Sequence, residues 1–171
     1  MKTFSKLVIF TILIIALTMV SSCKENENGL GFSIPLKFSS DFTFDVENDG
    51  YLLSGNVSAN GAEISLKPSC DILMWARLIC VKMKTEGDQK WQDTLYTNHD
   101  IFSAIENTYS DTPVSILNVP EFEVNCIAEG KTNTTIIRFH ENKSGKTRIY
   151  RFCFEGKVGC YTNINITQAS M

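Results

Sequence analysis

Apolar and polar residues alternate along most of the chain beyond residue 40, the two-residue period of strands with one face buried. Phe42, Phe44 and Val46 alternate with Thr43 and Asp45 and stop at Asn48-Asp49-Gly50, which predicts a strand followed by a turn. Residues 51–58 predict a second strand, Asn60-Gly61 a type I′ turn, and residues 62–67 a third strand ended by Pro68. The opening of the domain therefore reads as hairpin-rich. The last third is the clearest: residues 122–127, 134–140, 147–155 and 161–168 predict four strands, separated by Glu129-Gly130, by 142–145 and by 156–159. In the third of these Tyr150, Phe152 and Phe154 share one face, and Arg151, Cys153 and Glu155 the other.

The middle is less regular. Residues 72–84 are apolar on both faces, as in a strand buried on two sides, yet Ile72, Trp75, Ala76, Ile79 and Met83 also fit helical spacing, with Asp71 as N-cap and Gly87 as stop. The surrounding strands favour the extended reading, with Trp75 in the core. Residues 86–93 form a polar loop carrying Trp91, and 100–107 fit a short helix capped by Asp100. Antiparallel strands with regular turns and one buried face predict an all-β fold, an immunoglobulin-like antiparallel β-sandwich with room for one short helix.

The N-terminus follows another logic. Lys2 and Lys6 precede an apolar run at 7–20, and Met19-Val20-Ser21-Ser22-Cys23 closes it. At about 1.5 Å per residue that run spans about 21 Å as a helix, short of the roughly 30 Å hydrocarbon core. The segment resembles a bacterial lipoprotein signal peptide, which implies cleavage before Cys23 and lipid on that cysteine. An ordinary cleaved secretory signal is the rival reading. Lys24-Glu25-Asn26-Glu27-Asn28-Gly29 is similar to the acidic export signal behind the lipidated cysteine of surface lipoproteins in Bacteroidetes-type bacteria, and also suits a plain tether. The expected organisation is a signal peptide at 1–22, lipidated Cys23 and tether at 23–40, and a β-sandwich at 41–171. The expected location is the cell envelope, as an outer-membrane lipoprotein held through its N-terminal lipid.

Removing residues 1–22 takes away Lys2 and Lys6 and no acid, moving the net charge from −3 to −5. Such a chain, with no basic cluster in its sequence, is not expected to bind nucleic acid. Roughly 150 residues suffice for one domain with a real core. Beyond Cys23 there are five cysteines (Cys70, Cys80, Cys126, Cys153 and Cys160), so at least one lies outside any internal pair. Cys153 and Cys160 flank the turn at 155–159 and are the candidate disulfide. A two-residue loop at Gly156-Lys157 would set them face to face at a hydrogen-bonded site, and a bulge at Gly159 would relieve the resulting strain. No CxxC spacing points to structural zinc, and no metal or cofactor is expected.

The stretch 135–148, Thr-Ile-Ile-Arg-Phe-His-Glu-Asn-Lys-Ser-Gly-Lys-Thr-Arg, resembles the strand, Asn turn and Arg start of the final hairpin of a BACON domain. Thr162-Asn163-Ile164-Asn165-Ile166-Thr167-Gln168 is similar to that family's closing strand. The resemblance implies an immunoglobulin-like sandwich of gut Bacteroidetes and a carbohydrate ligand, or a spacer role. It covers about 40 residues, and the long middle with its extra cysteines departs from the short form.

Catalytic candidates are thin. His99 sits beside Asp100, His140 shares a strand face with Arg138, and neither belongs to a Ser/His/Asp or Cys/His motif, so the chain is not expected to be an enzyme. Binding fits better. Trp91 and Tyr96 lie in the polar stretch 87–100 and, with Tyr109, are the candidate contact residues, because an exposed indole or phenol face takes the C–H face of a sugar out of water. The competing reading folds Trp91 back as a lid on the core. Asp93-Thr94-Leu95 resembles a bacterial O-glycosylation motif, and Asn56, Asn133, Asn142 and Asn165 each open an Asn-x-Ser/Thr triplet. The expected function is a lipid-anchored exported protein binding carbohydrate or glycoprotein. The alternative is a non-catalytic interaction or structural module of an envelope complex.

Overall fold

A computed structural model describes residues 34–69, 74–92, 95–96, 99–156 and 159–171, with the backbone alone at 95–96 and 99–100. Among these residues the strands are β1 (Ile34–Pro35), β2 (Phe38–Ser39), β3 (Asp45–Glu47), β4 (Leu52–Val57), β5 (Ala62–Pro68), β6 (Ala76–Thr85), β7 (Leu95–Tyr96), β8 (Val114–Val119), β9 (Phe122–Ala128), β10 (Asn133–Phe139), β11 (Arg148–Gly156) and β12 (Cys160–Gln168), with one helix, α1 (His99–Ile105). They form two sheets. The larger runs β3-β4-β12-β11-β6-β7 with β1 also on β12, and the smaller runs β2-β5-β10-β9-β8. Pairing is antiparallel except where β1 and β4 run parallel to β12. The fold is an all-β sandwich with one short helix, as the alternation predicts.

The two inner faces meet in an aromatic core. Phe122 packs edge-on against Tyr150 and Phe152, with centroids 5.4 Å away in each case, and Phe139 lies 5.3 Å from Tyr150. Phe122, Tyr150, Phe152 and Phe154 are fully buried. Such pairs add about 0.5–1.5 kcal/mol each beyond the area they bury. Tyr150, Phe152 and Phe154 face inward as the alternation predicts, and Trp75 is 1% exposed, in the core.

The structure corrects four expectations. Residues 23–40 are not all tether: β1 pairs with Cys160 and Tyr161, β2 pairs with Lys67 and Pro68, and Leu36 is buried. The strand expected at 42–46 is short, because Val46 is exposed while Phe42 and Phe44 turn in to pack on the core. Strands β4 and β5 belong to different sheets, so the turn between them is a crossing rather than a hairpin. It is also not type I′: Gly61 alone has a positive φ, +91°, and its N–H donates to Ser58 O at 3.2 Å. The stretch 135–148 likewise joins β10 of the small sheet to β11 of the large one, so it is no hairpin either.

Where the chain changes sheets, its backbone leaves the ladders and needs other partners. Two buried asparagines supply them. At one end, Asn133 Oδ1 accepts the N–H of Ala76 at 2.8 Å and its Nδ2 donates to Ala76 O at 3.0 Å, so the amide acts as a strand partner for the start of β6. Trp75 Nε1 adds a bond to Gly130 O at 2.8 Å. At the other end, Asn142 Nδ2 donates to Lys146 O and Ala169 O at 2.9 and 3.0 Å, and Oδ1 accepts the Ser144 N–H and hydroxyl. The backbone of Asn142 completes the clasp, donating to Ala59 O and accepting the Met171 N–H. Gln168 closes the same end, donating to His140 O at 2.6 Å while accepting the Tyr150 hydroxyl at 3.0 Å. Both asparagines are fully buried, so neither of their Asn-x-Ser/Thr triplets is open to modification in the folded domain.

Removing the Asn133 amide strands buried backbone groups, and removing the Asn142 amide strands partly buried ones, each worth up to about 1–3 kcal/mol. Asn133→Ala and Asn142→Ala should each lower the unfolding free energy by about 2–4 kcal/mol in urea titrations. Asn133→Asp should cost at least as much, since a carboxylate cannot donate to Ala76 O. The two losses should add, because the sites lie at opposite ends of β10.

Candidate functional site

The outer face of the large sheet is set by one irregularity. In the β6–β11 pairing Phe154 faces Leu78 and Cys153 faces Cys80, so Ile79 is an extra residue on β6. Leu78 and Val81 both point inward and are buried, and beyond the bulge Cys80, Lys82 and Lys84 share the outer face. Cys153 and Arg151 of β11 meet them there, Cys153 opposite Cys80 and Arg151 opposite Lys82.

Trp91 lies on this face. The chain after β6 turns at Thr85–Asp88, where Gly87 has φ +92°, Asp88 N–H donates to Thr85 O at 3.0 Å and Asp88 Oδ2 accepts the Thr85 N–H. Gln92 N–H then donates to Met83 O at 2.7 Å, which brings the loop back along β6. The Trp91 ring sits 4.8 Å from Arg151 Cζ and 5.0 Å from Lys84 Nζ, both within cation–π range. Arg151 is fixed in turn by Nε donating to Asn165 Oδ1 at 2.9 Å. Trp91 is half-buried, so it is neither a core lid nor a free surface ring.

The thiols differ sharply. Cys80 is lowered to about 7, chiefly because the Cys153 thiol hydrogen-bonds to it, with Lys82 and Arg151 helping and burial opposing. Cys153 is pushed well above the ordinary thiol value by that same bond and by burial. Cys126 is pushed up to about 11 by burial, against a hydrogen bond from Asn133. The expected Cys153–Cys160 disulfide does not fit the register. Cys153 faces Asn163, and the pairing runs Glu155 with Tyr161, which carries Cys160 past Cys153 to the level of Gly156. A Cβ on Gly156 would meet the Cys160 Cβ at 3.6 Å.

The other candidates scatter. Tyr109 is 84% exposed, bridged by its backbone to Glu129, with its ring so close to Gly130 that a Cβ there would come within 2.6 Å of it. Gly130 is bonded to Trp75, at the start of β6, whereas Trp91 lies beside its end, on the order of 30 Å along the strand. Tyr109 therefore shares no surface with Trp91. Tyr96 is placed by its backbone opposite Cys80. Cys23, Cys70 and the Asp93-Thr94 pair lie outside the described residues. His99 opens α1. His140 contacts Pro120 O through Nδ1 at 2.9 Å and Glu123 Oε1 through Nε2 at 3.3 Å, the pattern of an imidazolium donating twice. Among the described residues no group of three or more His, Cys, Asp or Glu gathers as a metal site, and no helix is long and apolar enough to cross a membrane.

Lys82, Lys84, Arg151 and Cys80 are the site residues that the sequence reading missed. Their signal was present as alternation, Cys80-x-Lys82-x-Lys84 against Arg151-x-Cys153, but only the register aligns the two.

Comparison with known proteins adds little. No family model and no curated protein matches the chain. Among solved structures the chain is similar to murine CRIg, at 8% identity over 78% of this chain and 98% of that one, with a TM-score of 0.27. A likeness at that level carries no functional argument.

Two measurements check the site chemistry. Iodoacetamide should alkylate Cys80 at pH 7 roughly 100-fold faster than Cys126, with a rate midpoint near pH 7, read by peptide mass spectrometry. His140 is raised above the ordinary histidine value by the Pro120 carbonyl and the Glu123 carboxylate, and Glu123 is lowered, chiefly by His140. The histidine contribution to stability is full below its unfolded value of about 6.5 and lost as pH rises through the folded value. The glutamate contribution is full above its unfolded value of about 4.3 and lost as pH falls through its depressed folded value. The melting temperature of His140→Ala should therefore fall below that of the parent at about pH 5.5 and match it at about pH 9.

Proposed function

We propose that this chain is a lipid-anchored, exported binding protein whose contact surface is the outer face of the large sheet around Trp91, and that its ligand is an acidic carbohydrate. The observation that carries this reading is the Trp91 ring set beside Lys84 and Arg151. A partly exposed indole offers a flat apolar surface to the C–H face of a sugar ring. Lys84 and Arg151, lying over that ring, add partners for a carboxylate or sulfate on a sugar that shares it. Lys82, facing Arg151, widens the positive surface in a chain whose overall charge is negative. Field lines from such a cluster steer anions toward it.

The residues at 19–23 support the anchor, since lipid on Cys23 would hold the domain at a membrane. The resemblance of 135–148 and 162–168 to BACON domains points toward carbohydrate as well.

Fluorescence of the full chain in detergent, titrated with oligogalacturonate, sialyllactose and a neutral xylan oligomer, tests the proposal. Trp75 is buried and serves as the internal control, so the response should come from Trp91. A saturable change with an acidic oligomer is expected, weakened at least about tenfold by Trp91→Ala and by Arg151→Gln, and falling with added salt. Equal binding of the neutral oligomer would remove the acidic part of the reading. No response to any of the three would overturn the glycan site and leave an interaction module.

A further inference from the structure

We propose that Cys80 and Cys153 are an oxidisable dithiol that closes to a disulfide across β6 and β11 of the large sheet. The two are direct partners in the antiparallel register. Facing residues in such a pair hold their Cα atoms about 4.5–5.5 Å apart, within the roughly 4.4–6.8 Å that a disulfide spans. Closure therefore needs side-chain rotation and no rearrangement of the strands. The extra residue Ile79 is what brings both thiols to the same side of the sheet.

Among the described residues the other two cysteines do not compete on these terms. Cys126 is fully buried, faces Thr135 and accepts a hydrogen bond from Asn133, and Cys160 stands at the level of Gly156, beyond reach of Cys153 in this register.

The surroundings also order the chemistry. Cys80 is half-buried while Cys153 is 8% exposed, so an incoming reagent meets Cys80 first. Lys82 and Arg151 beside it favour the thiolate, the form that attacks. The oxidant is an exchangeable disulfide, either of a small molecule or of an oxidising dithiol protein. Cys80 thiolate, its proton released to water, attacks one sulfur of that disulfide and expels the other as a thiolate, leaving a mixed disulfide. Cys153 then loses its proton and attacks Cys80 Sγ, expelling the second thiolate. Both expelled thiolates take up protons. Two electrons pass from the protein to the reagent, one disulfide is consumed and one is formed.

Peptide mapping tests this on the full chain. Trypsin releases Cys80 on peptide 78–82 and Cys153 on peptide 152–157, with Cys126 and Cys160 elsewhere. After equilibration in a graded series of oxidised and reduced glutathione, free thiols are trapped by alkylation. The expected result is a cross-linked 78–82/152–157 pair, lighter by about 2 Da than the sum of its reduced peptides, that vanishes in reducing mixtures. Cys153→Ser should instead accumulate glutathione on Cys80, because the second attack is lost. Alkylation of both peptides at every ratio, in a protein whose Trp fluorescence shows it folded, would overturn the proposal. So would a link from Cys80 to Cys70 or Cys160. Should Cys153→Ser fail to fold, mapping of the parent chain decides alone.

Discussion

The structure depends on how the chain crosses between its two sheets. Strands β1 and β2, β2 and β3, β4 and β5, β5 and β6, β7 and β8, and β10 and β11 are sequence neighbours in different sheets. Every crossing takes backbone out of a ladder, and a buried amide without a partner costs as much as several good contacts return. Asn133 and Asn142, at either end of β10, answer that cost with side-chain amides that both donate and accept. No hydrocarbon could do so. Asn142 also draws three separate segments together, the crossing after β4, the crossing after β10 and the tail after β12. The mixed aromatic and aliphatic core supplies the burial, but apolar contact has no direction of its own. The two asparagines select this one.

That selection reaches the outer face. Asn133 fixes Ala76, the first residue of β6, and Ala76 pairs with Gly156 at the end of β11. From that fixed point the bulge at Ile79 moves the later residues of β6 by one place. Without it the alternation that buries Leu78 would turn Lys82 and Lys84 inward. With it Val81 is buried, Cys80 meets Cys153, and Lys84 lies beside Trp91.

Strand existence was legible in the sequence because a period of two survives any choice of partner. The last four strands, the extended reading of 72–84 (seen as a strand from Ala76), the short helix and the inward set Tyr150, Phe152 and Phe154 all follow from local pattern. Partnership was not legible. A turn such as 58–61 or 140–147 looks the same whether it closes a hairpin or crosses a sandwich, since both need Gly, Asn and Ser. Residues 32–39 did carry a signal, with Phe32, Ile34, Leu36 and Phe38 at every second place, yet their closeness to the expected tether hid it. The disulfide expectation failed for a related reason. Proximity in sequence across one turn presumed a tight loop, whereas the longer connection after Gly156 shifts the facing pairs and leaves Cys153 opposite Asn163. Of the aromatic candidates, Trp91 lies on a surface of interest because its loop folds back along β6. Tyr109, equally polar in context, belongs to the opposite end.

The basic character of this face adds to the reactivity of its thiol, whose pKa the neighbouring Cys153 lowers most. Lys82 and Arg151 lower the charge cost of a thiolate on Cys80, and the same positive potential would meet an acidic ligand at Trp91. Effects that share a field are reciprocal. An anion held by Arg151 would screen it from Cys80 and raise the thiol, while a thiolate on Cys80 would weaken the hold on that anion. Conversion of the pair to a neutral disulfide removes the competing negative charge and leaves both cations to the ligand. On the chemistry proposed above, one register would tie the redox state of the pair to the charge this face presents, with no movement of the strands.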